Sequence, residues 1–210
     1  ATSNPQRVMA ALRATEISGG YDAKGMPLAQ WLIRQYPHLA NTLNVELRKG
    51  SEDLPAGNYN VPARLISLFS NYEDGAGKTI SGTDGITAAH EIMHHLERMM
   101  PRSVQEAITE RWFDALKSRL AEYNAAGERS KGDLLADLVA GMYGDRPALE
   151  RARQAMISGE LPGSDYQYAS PSEYWAENGA HIIADRKAAA DRKASRNWVD
   201  KAVDAMRAII

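Results

Sequence analysis

Apolar and polar positions along the chain follow one period at its ends and another in its middle. Asn4-Pro5 reads as a cap followed by proline at the first helical position, and a helical pattern continues from Arg7 to Ile17 until Gly19-Gly20 stops it. Pro27 to Gln35 carries Leu28, Trp31 and Leu32 on one face, which predicts a second short helix ended by Pro37. From Asn41 to Gly82 the character changes. Gly, Pro and Asn recur, and β-prone runs at Val61 to Phe69 and Lys78 to Ile80 predict a small sheet.

After Gly82 the pattern is helical again. Thr83 or Asp84 can cap a helix from about Gly85 to Met100, ended by Pro101. Ser103-Val104-Gln105-Glu106 has the form of a capping box opening a helix to about Ala126. Lys131 to Tyr143 and Pro147 to Ser158 predict two more, Gly159 to Ser170 a loop, and Ser170-Pro171 the start of a last helical region reaching the C-terminus, broken near Ser195. The expected class is α+β and helix-rich, as a single domain over residues 1–210. Residues 1–100 would hold the sheet and residues 101–210 the helical part. Trp31, Trp112, Trp175 and Trp198 are expected as core anchors.

Composition narrows the chemistry. The 210 residues carry a net charge of −2 and 44% apolar residues, so neither a nucleic acid nor an anionic membrane is an expected partner. No apolar run approaches the ~18 residues of a membrane span. The basic-rich stretch at 185–210 reads as a solvated helix face. With no cysteine, a metal would have to be held by carboxylates and by the five histidines, His38, His90, His94, His95 and His181. Gly75-Ala76-Gly77-Lys78-Thr79 has the ending of a phosphate-binding loop, but Tyr72 stands where that loop needs glycine, and a hairpin turn is expected instead.

The one segment with a chemical pattern is His90-Glu91-Ile92-Met93-His94. Helical positions four apart lie about 40° from each other, so His90 and His94 can direct two imidazoles at one ion. Glu91 lies between them and can reach a water held by that ion, which makes it the candidate general base. His95 points about 100° away from His94 and is a poor third ligand. The better segment is Glu173-Tyr174-Trp175-Ala176-Glu177, where two carboxylates share a helical face. Two readings of Glu173 stand side by side: Ser170-Pro171-Ser172-Glu173 is itself a capping box, and if Glu173 closes it, the third ligand would be Glu177. His181, four residues after Glu177, can face the same site in support of it or stand on the helix surface.

The pair of segments resembles the gluzincin metallopeptidases, and within them the group containing the catalytic domain of anthrax lethal factor and the Pro-Pro endopeptidases. The resemblance covers about a tenth of the chain. It implies a zincin-like fold, with a small sheet before the active-site helix, and a Zn2+ cofactor. It also implies His90, His94 and Glu173 as ligands, Glu91 as base, and Glu177 in support. Tyr166, seven residues before Glu173, would stabilise the oxyanion, in preference to Tyr168. A zinc endopeptidase acting on a protein or peptide is the implied activity, and a secreted or delivered toxin or effector the implied setting. The alternatives are a metallohydrolase with a non-peptide substrate and a catalytically silent interaction domain. By the same resemblance, Gly77 to Ser81 or Arg64 to Phe69 would offer a sheet edge to the substrate. The 78 residues between His94 and Glu173 exceed what the group leads one to expect and point to an added helical insert.

Overall fold

The computed structural model describes residues 4–17, 30, 32–33, 36–51, 57–80, 83 and 85–188. Most of the predicted helix at Pro27 to Gln35, Asp84, Trp31, Trp198 and the region beyond Ala188 lie outside them. The chain divides into two compact units, Ala1–Met99 with Gly179–Ile210, and Met100–Asn178.

The first unit is built on a three-stranded sheet in the order β1 (Asn44–Arg48), β3 (Leu65–Phe69), β2 (Gly57–Asn60), with β1 parallel and β2 antiparallel to β3. Ile66, Ser67, Leu68 and Phe69 are all buried, as befits a central strand covered on both faces. Helix α1 (Asn4–Ile17) packs against β1, with Val8 and Leu12 buried. A short helical turn, α2, spans Leu39–Thr42. Helix α3 (Gly85–Glu97) lies against β2 and β3, burying Ala88, Ala89, Ile92, Met93 and Leu96. Its start is tied to the sheet by Thr83, whose hydroxyl accepts the Phe69 amide at 2.6 Å. Two further strands, β4 (Tyr72–Glu73) and β5 (Thr79–Ile80), form a separate hairpin. Its turn is held by Asp74, whose carboxylate accepts from the Ala76 and Lys78 amides, so the glycine-rich segment is the expected turn.

The sheet corrects one expectation. Arg64 to Phe69 is the middle strand, paired on both sides, and offers no edge; among these three strands the edges are β1 and β2.

The second unit is helical: α4 (Arg102–Ala125), α5 (Arg129–Met142), α6 (Arg146–Ser158) and a tight helical turn at Gly163–Tyr168. Its core gathers Trp112, Leu116, Leu135, Leu138, Ala152 and Leu161. Gly141 lets α5 and α6 approach closely, since a Cβ there would lie 2.5 Å from the Leu149 Cβ. The predicted capping box at Ser103 does not open α4. The helix begins at Arg102 after Pro101, which places Ser103 inside the first turn, and Glu106 pairs with Arg102 at 2.9 Å. Asp165 is buried and bonded by Arg119 at 3.0 Å and by the Tyr123 hydroxyl. Burial, with the hydrogen bond to Asp165, pushes the Tyr123 hydroxyl up to about 12. The last described helix, α7 (Pro171–Ala188), carries Glu173 in its first turn and Gly179 farther on.

Candidate metal centre

Helix α3 brings His90 and His94 to one side, as the four-residue spacing requires. Their Nε2 atoms lie 3.1 Å apart and their rings meet edge to face. Both are half-buried, and Glu91 between them is buried at 7% exposure. Glu173 completes the group: one ligand atom from each of His90, His94 and Glu173 lies within 4.8 Å of the others.

This donor set fits a metal ion. Two nitrogens each about 2.05 Å from one tetrahedral ion stand about 3.3 Å apart, close to the 3.1 Å between the two Nε2 atoms. The same separation admits an N–H···N hydrogen bond, so the argument for an ion rests on the third donor. A carboxylate beside two imidazole nitrogens makes three ligands and leaves room for a fourth.

At the start of α7 the capping bond and the Glu173 carboxylate involve different atoms. The Ser170 hydroxyl accepts the Glu173 backbone N–H at 3.2 Å, which is the serine half of the predicted box. The Glu173 carboxylate belongs to the group with the two histidines. Cap and candidate ligand therefore coexist in one residue, the first through its amide and the second through its side chain. Glu177 follows one turn later, half-buried, and His181 after it is exposed; neither belongs to the three-residue group.

Two glycines set the approach to α3, and the sequence pattern singled out neither. A Cβ on Gly57 would stand 2.9 Å from both the Cγ and an Oε of Glu91 and 2.8 Å from the Thr87 methyl. The bare backbone of β2 therefore lies directly against the Glu91 carboxylate. Gly179 of α7 does the same for Met93, whose Cγ and Sδ would be 3.3 and 3.4 Å from an added Cβ. The helix that carries Glu173 is thus seated on the helix that carries the histidines through a position with no side chain. Glycine inside a helix or strand is the only signal such contacts leave in a sequence.

Tyr166 and Tyr168 separate clearly. Tyr168 is half-buried against the core of the second unit, its carbonyl accepts the Trp112 indole N–H at 2.9 Å, and burial raises its hydroxyl pKa. Tyr166 is 40% exposed in the same turn. Gln167, between them, accepts from the Asn178 amide at 3.0 Å and fixes this turn to α7.

His95, the neighbour of His94, has a different fate. It is 2% exposed, with Nδ1 at 2.8 Å from the Tyr59 hydroxyl and Nε2 at 2.9 Å from the Thr42 hydroxyl. Thr42 also donates to the Leu39 carbonyl at 3.3 Å. A single hydroxyl proton then leaves Thr42 accepting from Nε2–H and Tyr59 donating to Nδ1. Burial, reinforced by the Arg64 cation, holds the His95 pKa down at about 4, so this ring is neutral at neutral pH.

No family model matches the chain, and no curated protein or solved structure matches it either. Among the described residues no helix is long and apolar enough to cross a membrane.

Proposed function

We propose that the protein is a zinc-dependent endopeptidase of the gluzincin kind. The observation that carries this reading is the convergence of His90, His94 and Glu173, with Glu91 on the same helix between the two histidines. The donor set, two imidazoles and one carboxylate, suits Zn2+. A zinc ion, when bound, supplies Lewis-acid polarisation of a carbonyl and makes a water more acidic.

The chain's own residues supply the rest. Glu91, held close to the β2 backbone, accepts a proton from the attacking water and returns it to the leaving amine. Its burial beside Gly57 keeps this carboxylate largely out of bulk solvent, where a proton transfer is better controlled. Tyr166, the more exposed of the two tyrosines, is the candidate donor to the oxyanion; Tyr168 is committed to packing. Glu177 stays in this reading as a supporting carboxylate one turn after Glu173. The edge strand β2, rather than the hairpin or β3, is the backbone beside Glu91 that an extended peptide can pair with.

The test compares wild type with Glu91→Gln for bound zinc and for cleavage of a peptide library. Wild type should hold zinc and cleave a subset of peptides. Glu91→Gln should retain the metal and lose turnover by roughly 10²–10⁴-fold. Full cleavage by Glu91→Gln, or a wild type that takes up no metal, overturns the reading.

A further inference from the structure

The first unit contains a second concavity, distinct from the histidine–glutamate group, with a volume of about 530 Å³. Tyr59, Val61, Pro62, Arg64, His95 and Arg98 line it. The volume falls in the range of small-ligand pockets. Its wall combines an apolar patch, the half-buried Tyr59 bonded to the buried His95, and two arginines. Among the described residues neither arginine forms an ion pair, and none of those that line the cavity is acidic. Tyr59 and His95 both feel these cations, Tyr59 through Arg64 and Arg98 and His95 through Arg64.

Arg64 carries a further mark. Its φ is 49°, the left-handed region, and among the described residues it is the only non-glycine there. Glycine or asparagine would occupy such a position with less strain. A long cation held in a costly backbone state at the rim of a cavity is the pattern expected of a ligand contact.

The pocket also has a defined relation to Glu91. Arg98 comes seven residues after Glu91, just past the end of α3, so at the helical rise its backbone lies about 10 Å from that of Glu91 along the line of the helix. Strand β2 tracks that line: Gly57 touches Glu91, and Tyr59 bonds His95. At about 3.3 Å per residue, an extended peptide beside β2 would cover the distance in roughly three residues.

We propose that this pocket binds a carboxylate through Arg64 and Arg98, and that its ligand is an acidic side chain of the peptide substrate, about three residues from the bond that Glu91 addresses. The position within the substrate rests on the endopeptidase reading; the binding of the carboxylate does not. The anion would sit between two guanidinium groups, with Val61 and Pro62 taking up the methylene stem.

The experiment is a nuclear magnetic resonance titration of the full chain with blocked tripeptides, Ala-Glu-Ala against Ala-Gln-Ala, and with acetate and inorganic phosphate. The glutamate peptide should shift the resonances around Tyr59, Arg64 and Arg98 saturably, and the glutamine peptide should bind about tenfold more weakly or not at all. The double variant Arg64→Ala, Arg98→Ala should lose the preference while keeping its fold, judged by an otherwise unchanged spectrum. Should that variant unfold, Arg98→Gln serves alone, since Arg98 lies just past the helix end. Equal shifts from both peptides, or an undiminished preference in the variant, overturns the proposal. Saturation by acetate or phosphate without a preference for the glutamate peptide overturns the peptide as ligand. Glu91→Gln should bind the glutamate peptide as wild type does. Binding there without any cleavage by wild type would count against the endopeptidase reading and leave the pocket standing.

Discussion

Asp165 in the helical unit and the His90–His94 pair in the sheet-bearing unit are both inward-turned polar groups, and the chain treats them differently. Asp165 meets a guanidinium and a hydroxyl of its own chain, Arg119 and Tyr123, within one closed network. The two histidines instead turn equivalent Nε2 atoms toward each other, and the third member of their group is another ligand-type atom. A carboxylate answered by a cation is complete as it stands. Two imidazoles beside a carboxylate are a donor set that could hold a metal cation. The contrast separates a group closed within its own chain from one that could hold a metal ion.

That contrast can be broken by experiment. Asp165→Ala removes the acceptor from a network in which Arg119 is only 25% exposed, and should cost about 3 kcal/mol in urea unfolding of the metal-free protein. A loss well under 1 kcal/mol would show that the network is not closed as described. His94→Ala should change metal-free stability little, but should abolish the stabilisation by added zinc, about 2.7 kcal/mol at a hundredfold excess over the dissociation constant. If the alanine variant is stabilised by zinc as much as wild type, His94 is not a ligand.

Gly179→Val should cost about 2 kcal/mol by forcing a side chain against Met93, and should weaken zinc binding by moving the helix that bears Glu173. Zinc affinity unchanged in that variant would mean that Glu173 is placed by other contacts. The smallest effect belongs to Tyr123→Phe, about 1 kcal/mol. It has a pH signature. The folded hydroxyl ionises at about 12 against 10 for the unfolded chain. Its contribution is therefore full below pH 10 and fades as pH rises toward 12. The phenylalanine variant should lack that alkaline slope.

The elements that sequence periodicity and punctuation reveal are the ones with local causes. Helix α1 begins at the Asn4-Pro5 signal, and α3 begins at Gly85 as predicted, although it ends at Glu97, short of Met100. The histidine pair follows from helix geometry alone. Glu173 reads two ways in the sequence because its amide meets the cap while its carboxylate joins the two histidines, and a sequence does not distinguish these atoms. The order of the sheet was hidden as well. Strand β3 reads as a strand from its own residues, but its central place depends on distant partners, β1 and β2. His95 looked like a spare histidine because Tyr59 and Thr42, which satisfy it, lie 36 and 53 residues away. The division into two units is equally invisible locally, since the second is inserted before Gly179.

Gly57 has a consequence for anyone who tries to improve this protein. A glycine in a strand is an obvious target for stabilisation, because alanine there restricts the unfolded chain and gains roughly 0.5–1 kcal/mol. An added methyl at Gly57 would stand 2.9 Å from both Cγ and an Oε of the buried Glu91 and 2.8 Å from the Thr87 methyl, so one of these side chains must shift to admit it. A screen that selects only for heat resistance would accept the exchange wherever Glu91 gives way, and the carboxylate proposed as the base would be the part displaced. Under the proposed mechanism robustness and activity pull in opposite directions at this position, and only an assay that reads both would register the trade.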